Sequence, residues 1–134
     1  MILVDTSAWI EFDRATGSAT DRRLLSLAEQ GHTIAATEPV LMEVLARAAT
    51  DEARSRLLGL LTSCEWLALD PTADFTAAAK IFTDCRNDGV TPRGLIDCLI
   101  AAVAIRTGAA LLTADRDFAR MADVLPLRLD RHAD

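Results

Sequence analysis

Residues 1–13 read MILVDTSAWIEFD. The apolar run Ile2 to Val4 stops abruptly at Asp5-Thr6-Ser7. A short β-branched run closed by polar turn residues reads as a buried strand. Ala8 to Asp13 then reads as a short helix. The strand is apolar without interruption, the mark of a parallel sheet covered on both faces. In such sheets ligands bind beyond the carboxyl ends of the strands. Asp5 stands at that end of the first strand.

The same alternation runs outward along the chain. Ser18 or Thr20 caps a helix through about Gln30, with Leu24, Leu25, Leu27 and Ala28 on one face and Gly31 ending it. Thr33 to Ala36 is a second short strand. Thr37-Glu38-Pro39 starts a helix to about Ala49, with proline at or near its first position. Thr50 or Asp51 caps the next helix, to about Thr62. Glu65 to Leu69 reads as a third strand, broken by Asp70-Pro71-Thr72, and a helix follows to Asp88-Gly89. Pro92 and Gly94 close a loop before an apolar helix, Leu95 to Thr107, which Gly108 ends. Ala110 to Thr113 is a fourth strand, Ala114 to Ala122 turns helical, and Leu127 to Leu129 reads as a fifth strand. The expected class is α/β: one domain over residues 1–134, with a central parallel sheet of about five strands and helices on both faces.

The chain has 134 residues, 51% of them hydrophobic and 25% charged, enough for a real core without disulfide staples. Net charge is −6, which argues against holding nucleic acid by bulk charge. All the basic residues but Lys80 are arginines, which contact phosphate through a planar, bidentate fork. Cys64, Cys85 and Cys98 are odd in number and lack C-x-x-C spacing, so reduced thiols in a cytoplasmic protein are expected. The N-terminus lacks a basic region and does not read as a signal peptide. The most apolar stretch, Leu95 to Ile105, is too short to span a bilayer.

Five acidic positions carry the functional argument. Asp97 lies inside LIDCLIAAVAI, a helix that should be buried nearly all round. Its structural alternative is a first-turn aspartate stabilised by the helix dipole. Glu43 shares a helical face with Val40 and Val44, and its alternative is a solvated side chain. Asp5 could simply cap the helix after its strand. Asp115 and Asp117 could cap the last helix, with Thr113. Asp5 and Asp115 nevertheless fall on the same sheet edge. Carboxylates gathered there would repel, and a hard divalent cation, Mg²⁺ or Mn²⁺, relieves that with oxygen ligands. Such a cation also lowers the pKa of water and stabilises phosphoryl charge.

The ordered set VDTSAWIE, EPVLMEVL, LIDCLIAAVA and LLTADRDF resembles the PIN-domain ribonucleases, and within them the VapC-type toxins of bacterial toxin–antitoxin pairs. The resemblance covers essentially the whole chain. It implies a PIN-like fold and an endoribonuclease that uses Mg²⁺, with Mn²⁺ as alternative. By resemblance Asp5, Glu43, Asp97 and Asp115 are catalytic, and Asp5, Asp97, Asp115 and Asp117 hold metal, Asp117 as an accessory or alternative fourth acid. Thr6, Ser7 and Thr113 match supporting polar positions. Arg93 falls where relatives often carry a basic residue near the site. Arg116 and Arg120 follow the acidic turn and are placed either against RNA phosphate or in solvent. Trp9 and Phe12 are either core residues or, by resemblance, an apolar rim for antitoxin or dimer partner. The implied partners are RNA, a cognate antitoxin and a second copy of the chain, with no membrane.

Two rivals make different demands. An aspartyl phosphatase wants a second aspartate two residues after the first, where this chain has Ser7, and a phosphate-pairing lysine, where it has only Lys80 in mid-helix. An inactive PIN-like binding module would have lost carboxylates, and all the expected ones are present.

Overall fold

The computed structural model describes residues 1–131. The chain runs β1 (Ile2–Val4), α1 (Thr6–Asp13), α2 (Ala19–Glu29), β2 (Ile34–Ala36), α3 (Glu38–Ala46), α4 (Asp51–Thr62), β3 (Glu65–Trp66), α5 (Pro71–Asn87), α6 (Leu95–Thr107), β4 (Ala110–Leu112) and α7 (Arg116–Ala122). The strands form one sheet in the order β3-β2-β1-β4, and every pairing is parallel. The chain leaves β1 toward β2 on one side and returns as β4 on the other. The sheet therefore switches direction at β1, which places the ligand crevice beyond the carboxyl ends of β1 and β4.

The register aligns those ends. Val4 pairs with Leu112, and the Asp5 N–H donates to the Leu112 carbonyl at 2.9 Å. Asp5 and Thr113 thus leave the sheet side by side. Leu3, Val4, Leu111 and Leu112 are fully buried, as the uninterrupted apolar pattern predicts. The helices pack as two groups: α1 touches α2 and α3, and α3 touches α4, while α5 and α6 pack on each other.

The expected fifth strand is a single parallel bridge, Leu111 to Leu129. Arg128 O accepts from Leu111 N and Asp130 N donates to Leu111 O, so the segment touches the edge of β4 at one point only. Pro126, without an N–H, precedes this short contact. The third strand is also shorter than Glu65 to Leu69. The Glu38 carboxylate accepts from Trp66 Nε1 at 2.6 Å and Leu69 N at 2.5 Å, drawing the chain out of the ladder. Glu38 therefore does more than complement its helix dipole. Helix α1 begins at Thr6, α3 ends at Ala46 and α7 begins at Arg116, each differing from the sequence boundary by a few residues.

Helix α6 is the spine of the core. Cys98 through Ala104 are all buried, and Gly108 closes the helix in the left-handed conformation at φ 72°. Its far end is anchored by Arg106, whose Nε and Nη2 both reach Asp74 of α5 at 2.8 Å. Asp74 is 1% exposed. Burial pushes its pKa up, but the Arg106 fork and the Asp70 N–H outweigh that and hold it below the ordinary value. Arg106 also donates to the Ala68 carbonyl, tying the β3–α5 connection to α6.

Breaking this pair should be felt globally. Asp74→Asn is expected to cost about 2 kcal/mol at pH 7, below the cost for a fully buried pair because the arginine is partly exposed. A depressed carboxylate pKa contributes stability that is present above the unfolded value and lost as pH falls through the folded one. Urea unfolding should therefore show the gap shrinking below pH 3.8.

Candidate active site

Asp5 is built into the sheet edge as the N-cap of α1. It is 3% exposed, and burial raises its pKa. Hydrogen bonds from Ser7 and Thr113 oppose that rise. Asp5 Oδ2 accepts from Ser7 Oγ at 2.8 Å, Thr113 Oγ1 at 2.9 Å and Ser7 N at 3.3 Å. Each hydroxyl has one proton, and both are spent on Asp5. The 3.1 Å approach between the two hydroxyls is then contact rather than a further hydrogen bond. The Ala114 and Asp115 N–H groups donate to Ser7 Oγ and Thr113 Oγ1 respectively. A backbone turn after β4 thus orients two hydroxyls, and these orient one carboxylate. Both side-chain donors go to Oδ2, leaving Asp5 Oδ1 without one among the described residues.

Glu43 comes from α3 and accepts from Thr6 Oγ1 at 2.9 Å. Thr6 is 5% exposed, so the bond fixes the glutamate beside Asp5. Asp97 enters from the first turn of α6, after the extended N-cap Gly94. No hydrogen-bond donor reaches its carboxylate among the described residues. Its pKa is pushed up to about 7, first by burial, then by the charges of Asp5, Asp115 and Glu43; only Arg93 pulls the other way. Asp115 is the N-cap of α7, its Oδ1 accepting from Asp117 N at 2.9 Å. Arg93 lies 3.4 Å from both Asp115 Oδ2 and Asp117 Oδ2.

These residues converge. Asp5, Thr6, Ser7, Glu43, Arg47, Arg93, Asp97 and Asp115 line one cavity of about 40 Å³. An adjoining groove of about 500 Å³ is lined by Ser7, Glu11, Arg93, Arg116, Asp117 and Arg120, among others. Asp117 faces the groove and not the small cavity. Trp9 is 2% exposed, and its ring meets Phe12 edge-on at 6.0 Å. That corrects the apolar-rim reading for Trp9, which is core; Phe12 is half-buried against that core. Arg47 and Glu11 escaped the sequence argument. Arg47 stands one helical turn beyond Glu43, a spacing that could have marked it. A separate, apolar cleft of about 410 Å³ lies between α5 and α6, near Arg106 and so at the far end of α6 from Asp97.

The donor set suits a hard cation. Every free ligand atom is oxygen, and the cavity holds more carboxylates than can all stay ionised. Among the described residues no three acidic, histidine or cysteine side chains form a ready-made cage. Mg²⁺ does not require one, since it keeps several waters and is held by one or two carboxylates. Asp97, Asp5 Oδ1 and the Arg93-facing Asp115 Oδ2 are the oxygens that could serve it. Lys80 pairs with Asp84 on α5 and lines the apolar cleft, so the phosphatase reading lacks its phosphate-binding lysine.

Residues 2–124 match the PIN domain family. The chain belongs to the PIN-domain family. It is 45% identical over 131 residues to ribonuclease VapC11 of Mycobacterium tuberculosis and equally to VapC ribonuclease Mb1587 of Mycobacterium bovis, covering 96% of each and 96% of itself. VapBC2 of Rickettsia felis, solved bound to a DNA fragment from its promoter, superposes with a TM-score of 0.73 at 25% identity, over 97% of this chain and 98% of that one. This PIN domain is thus of the VapC type.

The strain on Asp97 has a measurable consequence. A raised carboxylate pKa means the folded state binds the proton more tightly than the unfolded chain. Its contribution is intact below pH 3.8 and eroded as pH rises through about 7. Asp97→Asn should therefore stabilise the metal-free protein at pH 8 by about 2 kcal/mol, after discounting for the solvent-open side of the cavity. Urea unfolding in EDTA should show that advantage at pH 8 and little of it at pH 4.

Proposed function

We propose that the chain is a divalent-metal-dependent endoribonuclease toxin of a VapBC pair, neutralised by a cognate antitoxin. The observation that supports it most is the meeting of Asp5, Glu43, Asp97 and Asp115 in one small cavity at the sheet's switch point. The ribonuclease names of relatives at 45% identity support the RNA substrate. The VapBC2 assembly is the support for an antitoxin partner. A homodimer is part of the reading by family resemblance.

Asp5 and Asp97 are the residues that would hold Mg²⁺, or Mn²⁺ in its place, with Asp115 alongside and Asp117 in a supporting position. The bound cation supplies charge stabilisation at the phosphate and a lowered pKa for the attacking water. The chain's own residues do the positioning. Ser7 and Thr113 aim Asp5, and Thr6 aims Glu43. Asp97 has no donor of its own, and burial and its acidic neighbours push its pKa up to about 7, an unfavourable charge that a cation would relieve. Arg93 and Arg116, on the groove side, are placed to meet the phosphates of an RNA strand.

Asp5→Asn and Asp97→Asn should each lower RNA cleavage by about a thousandfold or more, the scale of losing a main electrostatic contributor. Both variants should remain folded by circular dichroism. EDTA should stop wild-type turnover and added Mg²⁺ or Mn²⁺ restore it. Wild-type rates in both variants, or cleavage indifferent to EDTA, would reject the metal-site reading. An inactive binding module is separated by direct titration, since it would take up no Mn²⁺.

A further inference from the structure

We propose that Arg93 is a tethered counter-ion that a divalent cation must displace: in the metal-free chain its guanidinium spans Asp115 and Asp117, and cation binding releases it into the neighbouring groove. This exchange rests on the functional reading above and adds a competition to it. Asp115 has one oxygen committed, because Oδ1 accepts from Asp117 N at 2.9 Å. The other, Oδ2, is the atom that faces Arg93 Nη2 at 3.4 Å. A cation that uses this free oxygen meets Arg93 first. Arg93 Nε lies at the same distance from Asp117 Oδ2, so one side chain neutralises both acids.

The pair is built to be temporary. Arg93 is 66% exposed, while the acid side chains are 12% and 24% exposed. Contacts of 3.4 Å exceed the 2.7–2.9 Å of strong charge-assisted bonds, and exposed pairs contribute little. The Arg106–Asp74 pair, bidentate at 2.8 Å on a buried acid, shows what a permanent link looks like in the same molecule. Arg93 also lines both the small acidic cavity and the groove that holds Arg116 and Arg120. Leaving the acids, it remains on the wall of the groove, which also holds the carboxylate of Glu11. Arg120 reaches Asp117 at 3.6 Å from its own helix but makes no such contact with Asp115. It carries the same charge without the span, and so serves as the control.

The test is Mn²⁺ affinity by electron paramagnetic resonance titration, with thermal melting in EDTA and in saturating Mn²⁺. Wild type, Arg93→Gln, Arg93→Lys and Arg120→Gln are compared. Arg93→Gln should bind Mn²⁺ about two- to fivefold more tightly, the worth of an exposed pair. Arg93→Lys should fall between it and wild type, because an ammonium cannot span both acids. Arg120→Gln should gain less. Arg93→Gln should melt below wild type in EDTA and no lower than wild type in Mn²⁺. Unchanged affinity in Arg93→Gln, or equal gains in Arg93→Gln and Arg120→Gln, overturns the exchange while leaving the metal site intact. A wild-type chain that takes up no Mn²⁺ overturns the functional reading, and the exchange with it.

Discussion

Repulsion among carboxylates at the carboxyl edge of β1 and β4 is the constraint to which the rest of the structure answers. Asp5 and Asp97 face it in opposite ways. Asp5 is almost fully buried, and it is offset by three donors on a single oxygen. Asp97 has no donor, and burial first and then the charge of three neighbours push its pKa up to about 7. A carboxylate with its donors in place is fixed in orientation. A carboxylate without them is held in an unfavourable state that a positive charge would relieve. On the proposed function, the two together would shape a site for a cation, with the stability cost concentrated on one residue.

That cost can be carried because the elements behind the acids are rigid. Helix α6 is buried over most of its length and clamped at its far end by the Arg106–Asp74 fork. Asp97 therefore cannot relax away from its neighbours by moving the helix. The β1–β4 register fixes Asp5 against Thr113, and the backbone turn at Ala114–Asp115 fixes the hydroxyls in turn. Positional accuracy in the cavity thus comes from parallel pairing and helix burial, with side-chain hydrogen bonds supplying the last adjustment.

The pattern of the sequence revealed these supports unevenly. Strand β1 was legible because an uninterrupted apolar run ending in Asp5-Thr6-Ser7 has few other solutions. Helix α6 was legible for a similar reason, and the conflict between its apolar sequence and Asp97 flagged the site. Glu43 needed family resemblance, since one acid on a half-exposed helix looks like any other until Thr6 is seen bonded to it. The Leu127 to Leu129 strand failed because an edge segment after a proline pairs through tertiary placement, which local pattern does not encode. The Glu38 links to Trp66 and Leu69 were invisible for the same reason: they join residues 28 and 31 positions apart. For Trp9 the sequence left core and rim both open, and its burial decides for the core.

An acidic chain of net charge −6 cannot draw RNA by its overall field. Size divides the labour at the site instead. The acidic cavity, at about 40 Å³, has room for only a few water-sized groups, since one water needs roughly 10–15 Å³ by the same measure. A phosphate oxygen can reach it; a nucleobase cannot. On the proposed function, the bases of a strand presented there would lie outside it, toward the 500 Å³ groove beside α7 and its arginines. Selection among RNAs would then rest on whether a strand can bend its backbone into the small cavity while its bases stay outside. That demand favours unpaired, splayed nucleotides over regular duplex. On the proposed function, the same tight packing that strains Asp97 also limits which part of the substrate meets it.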